Sequence, residues 1–328
     1  MSARMLVIAL ALSAASISPA VADGRSDHVD CASTVRKSSV SACRRLLARG
    51  GLTERERFMT TFNLGWSQYR AGAHRDAGAA FDDAERLDPG YANLYLSRAL
   101  VRQDMGADEQ ALGDLDRYVK LDPDNWNGYY RRALSQRHLG AARRAITDVD
   151  RALKLNPFAR ELAPLRVLLL NETGDADRAA DAADKIVTER PNDAVASYVR
   201  AAVLFRRHDL DAAQSDLSAA LQSSPLFSAA HALQGEIGEA RGKPEAARAS
   251  YLRALQVGGP DIAAAPARDR ARKRLAALDQ SPTAEASVRP SRHVARATDD
   301  PPANKPSSSI DCRRYVPSAR MTISVPCK

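Results

Sequence analysis

Aromatic residues are scarce in this 328-residue sequence, where Phe, Trp and Tyr together make up 5% of the chain. A single large core usually rests on buried rings. The scarcity, combined with abundant alanine, points instead to helices packed closely through small side chains. Catalytic signatures are missing as well: there is no H-E-x-x-H, no phosphate-cradling glycine loop and no G-x-S-x-G turn. The six histidines (His28, His74, His138, His208, His231 and His293) do not fall at metal-ligand spacing with carboxylates. Asp175-x-Asp177 lacks the remainder of a calcium loop. Neither an enzyme nor a bound metal or cofactor is expected.

Long apolar runs are also rare. One extends from Met5 to Ile17, too short to span a bilayer. With Arg4 before it and Ala20-Val21-Ala22 behind it, residues 1–22 read as a secretory signal peptide, and the mature chain is expected to begin at Asp23. That leader predicts export, to the periplasm of a bacterium or beyond it, and no transmembrane segment after its removal. The net charge of +8 is unevenly placed: residues 267–328 hold 13 Lys/Arg against 6 Asp/Glu, and apart from Arg4 the rest holds 34 of each. A neutral body is not the footprint of nucleic-acid binding, so no nucleic-acid partner is expected. The basic end suits contact with anionic envelope polymer or lipid head groups.

What the sequence does have is a period. Pro89, Pro123, Pro157, Pro191 and Pro225 are 34 residues apart, as are Ala77, Ala111, Ala145, Ala179, Ala213 and Ala247. Gly72, Gly106, Gly140 and Gly174 keep the same stride, His208 takes the next place and Gly242 resumes it. With Phe58 as position 1, small residues recur at 8, 20 and 27, the turn residue at 15, a large apolar residue at 24 and proline at 32. Each unit therefore predicts a helix, a turn at the glycine and a second helix stopped by proline. One hairpin cannot bury its apolar face alone, so neighbouring units must stack.

This pattern resembles the tetratricopeptide repeat family over six units: 58–91, 92–125, 126–159, 160–193, 194–227 and 228–261. The resemblance implies an all-α, right-handed α-solenoid that acts as a non-enzymatic scaffold for a protein partner. Extending the frame back by one unit (24–57) puts Cys31 at position 8 and Cys43 at position 20 of a degenerate cap hairpin assigned to 23–57. Those are the places where paired helices come closest, so a Cys31–Cys43 disulfide is expected rather than two free thiols. A continuous helix would hold them roughly 18 Å apart, so a turn must intervene. Thr53-x-x-Glu56 predicts a capping box and a helix start ahead of Phe58. Residues 262–279 predict a capping helix whose charged face (Arg268, Asp269, Arg270, Arg272, Lys273, Arg274) meets solvent. Residues 280–309 read as a disordered linker, and 310–328 as a small β-hairpin closed by Cys312 and Cys327.

Charge adds a second regularity. Position 7 is Arg98, Arg132, Arg166 and Arg200 in units two to five, and position 25 of each preceding unit is Asp82, Asp116, Asp150 and Asp184. Where that aspartate is missing, at Ala48 and Ser218, the arginine is missing too, at Leu64 and Gln234. A ladder of pairs between units is predicted: Asp82–Arg98, Asp116–Arg132, Asp150–Arg166 and Asp184–Arg200. Asp114, Asp148 and Asp216, within the arginines' own units, are rival partners, but unit four has Ala182 there. Pro164, at position 5 of unit four, predicts either a late helix start or a kink.

In the resembled family, positions 2, 5, 6, 9, 12 and 13 face a concave groove that holds a partner segment. Matched residue by residue, that face carries Phe62, Asn63, Trp66 and Tyr69, then Asn93, then Asn127, Tyr130, Arg131, Arg137 and His138, and finally Tyr198 and Phe205. Such aromatic anchors with amide and arginine neighbours suit a peptide or an amphipathic helix, or else they pack between adjacent first helices. Family members that grip a terminal carboxylate place Lys and Asn at positions 5 and 9. Phe62 and Trp66 stand there in unit one, so that specificity is not implied.

Overall fold

Two residues in every period set the helix boundaries. The computed structural model describes residues 19–34, 37–257, 261–280, 311–316 and 321–326. In it the position-15 glycines take positive φ: Gly72 78°, Gly106 72°, Gly140 75°, Gly174 83° and Gly242 67°. A left-handed residue ends the first helix and lets the chain reverse, and the proline-bearing loop ends the second. Six helix pairs result: α3 (Glu54–Arg70) with α4 (His74–Leu87), α5 (Ala92–Asp104) with α6 (Asp108–Leu121), and α7 (Trp126–His138) with α8 (Ala142–Leu155). The others are α9 (Leu162–Thr173) with α10 (Ala176–Glu189), α11 (Ala194–Arg206) with α12 (Leu210–Ser223), and α13 (Ser228–Ala240) with α14 (Pro244–Gln256). A hairpin of α1 (Pro19–Ser33) and α2 (Ser39–Arg49) precedes them, and α15 (Asp261–Asp279) follows.

Within each pair the close approach depends on matched volumes at positions 8 and 24. Gly65 lies against the Phe81 ring and Gly235 against Tyr251, where an added Cβ would stand 2.8 Å and 2.5 Å from ring carbons. Unit four reverses the sizes, with Val167 at position 8 and Ala183 at 24, both fully buried in one cluster. Its small residue at 24 is thus one half of a swapped pair. Pro164 is the third residue of α9, which starts late at Leu162, so the proline sits in the first turn where it displaces no hydrogen bond.

The loops between pairs are pinned from position 4. Tyr95 and Tyr129 donate their hydroxyls to the carbonyls of Pro89 and Pro123 (2.8 and 3.1 Å), and His231 Nε2 lies 2.9 Å from the Pro225 carbonyl. Consecutive first helices α9, α11, α13 and α15 touch one another, whereas consecutive second helices do not approach as closely. The first helices therefore form the inner face of the stack.

At the N-terminal end Cys31 and Cys43 are joined, with Cα atoms 4.8 Å apart. They share a cluster with Ala42, Leu46, Leu64 and Ala80, so position 7 of unit one meets an apolar cap, which explains its leucine. The capping box at Thr53 and Glu56 opens α3. Helix α1 begins ahead of the expected mature start at Asp23. Among the described residues no helix is long and apolar enough to cross a membrane.

The C-terminal stretch from residue 282 is a separate unit. In it Asp311–Val316 (β1) pairs antiparallel with Met321–Pro326 (β2), with Cys312 opposite Val325. Residues 1–18, the Gly258-Gly259-Pro260 break, the linker from 281, the turn at 317–320 and the Cys312–Cys327 bond lie outside the described residues.

Candidate functional site

The arginines of position 7 hold the register of the inner helices. Arg98 donates from Nη1 to Asp82 Oδ1 (2.6 Å), Arg132 to Asp116 (2.8 Å), Arg166 from Nε to Asp150 (2.7 Å) and Arg200 to Asp184 (3.5 Å). The partners within units are made as well, which corrects the view that the two sets compete. Arg132 grips Asp148 with two bonds of 2.7 Å and Arg200 grips Asp216 the same way, while Arg98 reaches Asp114 at 2.7 Å. Each arginine thus bridges carboxylates 16 residues before and 16 after it, except Arg166, whose second place is Ala182. Burial pushes the Asp114 carboxyl up, and Arg98 and Arg102 pull it back. All these groups are paired and offer a ligand nothing.

The face predicted to meet a partner divides in two. Phe62, Tyr130 and Tyr198 are core residues, not surface anchors. Phe62 packs on Phe81 (5.6 Å) and Tyr91 (5.4 Å), Tyr130 on Trp126 (6.0 Å) and Tyr198 on Phe227 (4.9 Å). They fill the slots between adjacent helices, because position 5 points into the junction of successive units. Burial raises the Tyr198 phenol above its ordinary range.

Asn63, Trp66 and Tyr69 remain half-buried in unit one, Asn93 is exposed in unit two, and Asn127 and Arg131 are half-buried in unit three. Trp66 meets Tyr69 edge-on at 5.5 Å, and the Tyr69 hydroxyl donates to Asp104 (2.5 Å). The Arg131 guanidinium lies 5.6 Å from the Tyr130 ring centre. His138 Nδ1 sits 3.1 Å from Asp108 Oδ2. Arg137 is buried and donates to Glu172 (2.8 Å).

Phe205 is half-buried on the wall of a cavity of about 560 Å³ that it shares with Glu236, Glu239, Ala240, Arg270, Lys273 and Arg274. Here α15 departs from the solvating role expected of it. Arg270 donates to Glu236 and Arg274 to Glu239, each at 3.0 Å, so two of its cations face α13. The hydrogen bond from Arg274 and one from Tyr251 hold the Glu239 carboxyl below the usual range against the opposing effect of burial. No group of three His, Cys, Asp or Glu side chains among the described residues is placed to hold a metal.

A family model described as tetratricopeptide repeat matches residues 96–159, 130–194 and 198–269, together more than half of the chain. The chain belongs to the tetratricopeptide repeat family. No curated protein matches it. A solved tetratricopeptide repeat protein from Parabacteroides merdae superposes with a TM-score of 0.65 at 19% identity, covering 76% of this chain and 98% of that one. PilW, a type IV pilus biogenesis factor, aligns with a TM-score of 0.51 at 18% identity over 61% of this chain and 93% of its own. The Cut9–Hcn1 assembly of APC/C gives 0.53 at 15% identity over 76% and 48%. At these identities the likeness is one of fold.

The tetratricopeptide frame also exposes what sequence reasoning left out. Carried one unit further, from residue 262, it places Arg270, Lys273 and Arg274 at positions 9, 12 and 13, three of the positions that the family resemblance assigns to the groove. A second signal is a spacing of 35: Tyr69–Asp104, Arg137–Glu172 and Glu239–Arg274 each link position 12 of one unit to position 13 of the next. These pairs tie neighbouring inner helices together across the groove floor.

Proposed function

We propose that this tetratricopeptide repeat scaffold is an exported, non-enzymatic adaptor that binds a protein partner along the face formed by its first helices. The observation that carries the reading is the set of ring and amide side chains left half-buried there, Asn63, Trp66, Tyr69, Asn127 and Phe205, on a backbone already fixed by paired arginines. Half-buried rings on a rigid surface add contact area at little entropic cost, which favours recognition of a peptide or helix. Export rests on the leader at 1–22 and on the Cys31–Cys43 bond, which suits an oxidising compartment such as the periplasm.

A second reading has an observation of its own: residues 281–328 hold 8 Lys/Arg against 4 Asp/Glu. In it the basic end grips anionic envelope polymer or lipid while the repeats assemble. Affinity capture with residues 23–279 and, separately, 280–328 tests both. Retention of defined proteins by the first fragment supports the adaptor, whereas salt-sensitive retention of envelope polymer by the second alone rejects it. N-terminal sequencing of the exported protein should begin at Asp23, and an uncleaved Met1 would remove the export claim.

A further inference from the structure

At the C-terminal end of the inner face two cavities adjoin, of about 560 and 310 Å³. Phe205, Glu236 and Arg270 line both, so they form one trough running from α9 across α11 and α13 to α15. Its apolar surface comes from the half-buried Ala202 and Phe205, backed by the core residues Leu168 and Leu233. The combined volume suits several side chains of a bound segment and falls in the range of ordinary ligand sites.

The charges along the trough are unequal. Glu172, Glu236 and Glu239 each accept from an arginine: Arg137, Arg270 and Arg274 respectively. Arg206 and Lys273 also line the trough, are exposed, and have no carboxylate partner among the described residues. Two cations are therefore left over beside an apolar surface. Because charge-assisted hydrogen bonds strengthen where solvent is partly excluded, their natural complement is a carboxylate next to an apolar side chain.

We infer that the trough binds a protein segment presenting an aromatic or branched aliphatic side chain flanked by Asp or Glu. This rests on the adaptor reading, and it names the end of the face and the chemistry of the partner. The apolar side chain lies against Phe205, and the carboxylate meets Arg206 or Lys273. Helix α15 is then a wall of the site as well as an end cap, since it supplies both Lys273 and the arginines that neutralise Glu236 and Glu239. A polyphosphate is disfavoured by the three glutamates lining the walls.

The test is selection of random linear dodecapeptides on the full-length, disulfide-intact protein, followed by fluorescence anisotropy with the enriched peptides. Wild type, Arg206→Glu/Lys273→Glu, Phe205→Ala and Trp66→Ala are compared, with circular dichroism as the folding check. The two reversed cations are exposed and have no carboxylate partner among the described residues, so that variant keeps its helices even if Phe205→Ala does not. The expected result is enrichment of Asp or Glu beside an apolar residue, affinity lowered tenfold or more by the charge reversal, and less than a twofold change for Trp66→Ala. Peptides that lose binding on Trp66→Ala but not on charge reversal overturn the trough while leaving the adaptor standing. No enriched peptide at all overturns both.

Discussion

At the residue scale, single atoms decide whether these helices fit. Gly235 and Gly113 both sit inside helices, yet a Cβ at Gly235 would press on Tyr251 at 2.5 Å, while one at Gly113 meets nothing within 4 Å. Gly235→Ala should therefore cost about 1–3 kcal/mol through overpacking. Gly113→Ala should stabilise by roughly 0.5–1 kcal/mol through helix propensity. Denaturant midpoints check both, and equal signs would contradict the volume argument. His208 takes φ 63° where the other units have glycine. His208→Gly should relieve roughly 1 kcal/mol of left-handed strain, read in the same titration.

Arg132 allows a further comparison, because Asp148 is 7% exposed at its side chain and Asp116 is 53% exposed. Asp148→Ala leaves a half-buried guanidinium without its bidentate partner and should cost on the order of 3 kcal/mol, whereas Asp116→Ala should cost less than about 1 kcal/mol. Equal losses would mean that the inter-unit rung carries as much as the intra-unit one.

At the scale of the element, the N-terminal hairpin has one neighbour and must be held by other means. Its bond closes a short loop, worth about 3 kcal/mol in the chain-entropy model. Cys31→Ser/Cys43→Ser should raise amide exchange in α1 and α2 far more than in α11 and α12. Asp27 adds a pH dependence. The hydrogen bond from Arg45 holds its carboxyl below the ordinary carboxylate range, with Arg49 and His28 assisting and burial opposing. A folded-state value below the unfolded one means that its stabilisation is present above pH of about 4 and is lost as pH falls through the lower folded value. The stability gap between wild type and Asp27→Asn should accordingly close on acidification. A gap that widens would reverse the sign of this account.

Much of this architecture could be read from the sequence. Proline and glycine end helices for local steric reasons, so a fixed stride of both predicts helix pairs directly. The arginine ladder was legible because arginine and aspartate go missing together, at Leu64 and Gln234 as at Ala48 and Ser218. What escaped was reciprocal or lay past the last proline. Ala183 stands at position 24, where the pattern has a large apolar residue, and only the structure shows Val167 taking up that volume from position 8; Arg270 and Arg274 read as solvating charge because their glutamates lie 34 and 35 residues earlier on another helix. Burial at position 5 was one of two readings open to the sequence, and stacking decides it, since the side chains of Phe62, Tyr130 and Tyr198 enter the junction between units.

For the whole molecule, stacking converts six similar pairs into one inner face whose chemistry changes along its length. Rings and amides dominate around Asn63, Trp66 and Tyr69, while Arg206, Phe205 and Lys273 dominate near α15. The most direct measurement is photo-cross-linking from the full-length protein, with a benzoylphenylalanine placed at Phe205 and, separately, at Phe158, which is 87% exposed in a loop between units. The account predicts a defined protein adduct from position 205 and none of the same mass from 158. Identical adducts from both positions, or an adduct from 158 alone, would contradict the inner face as the working surface.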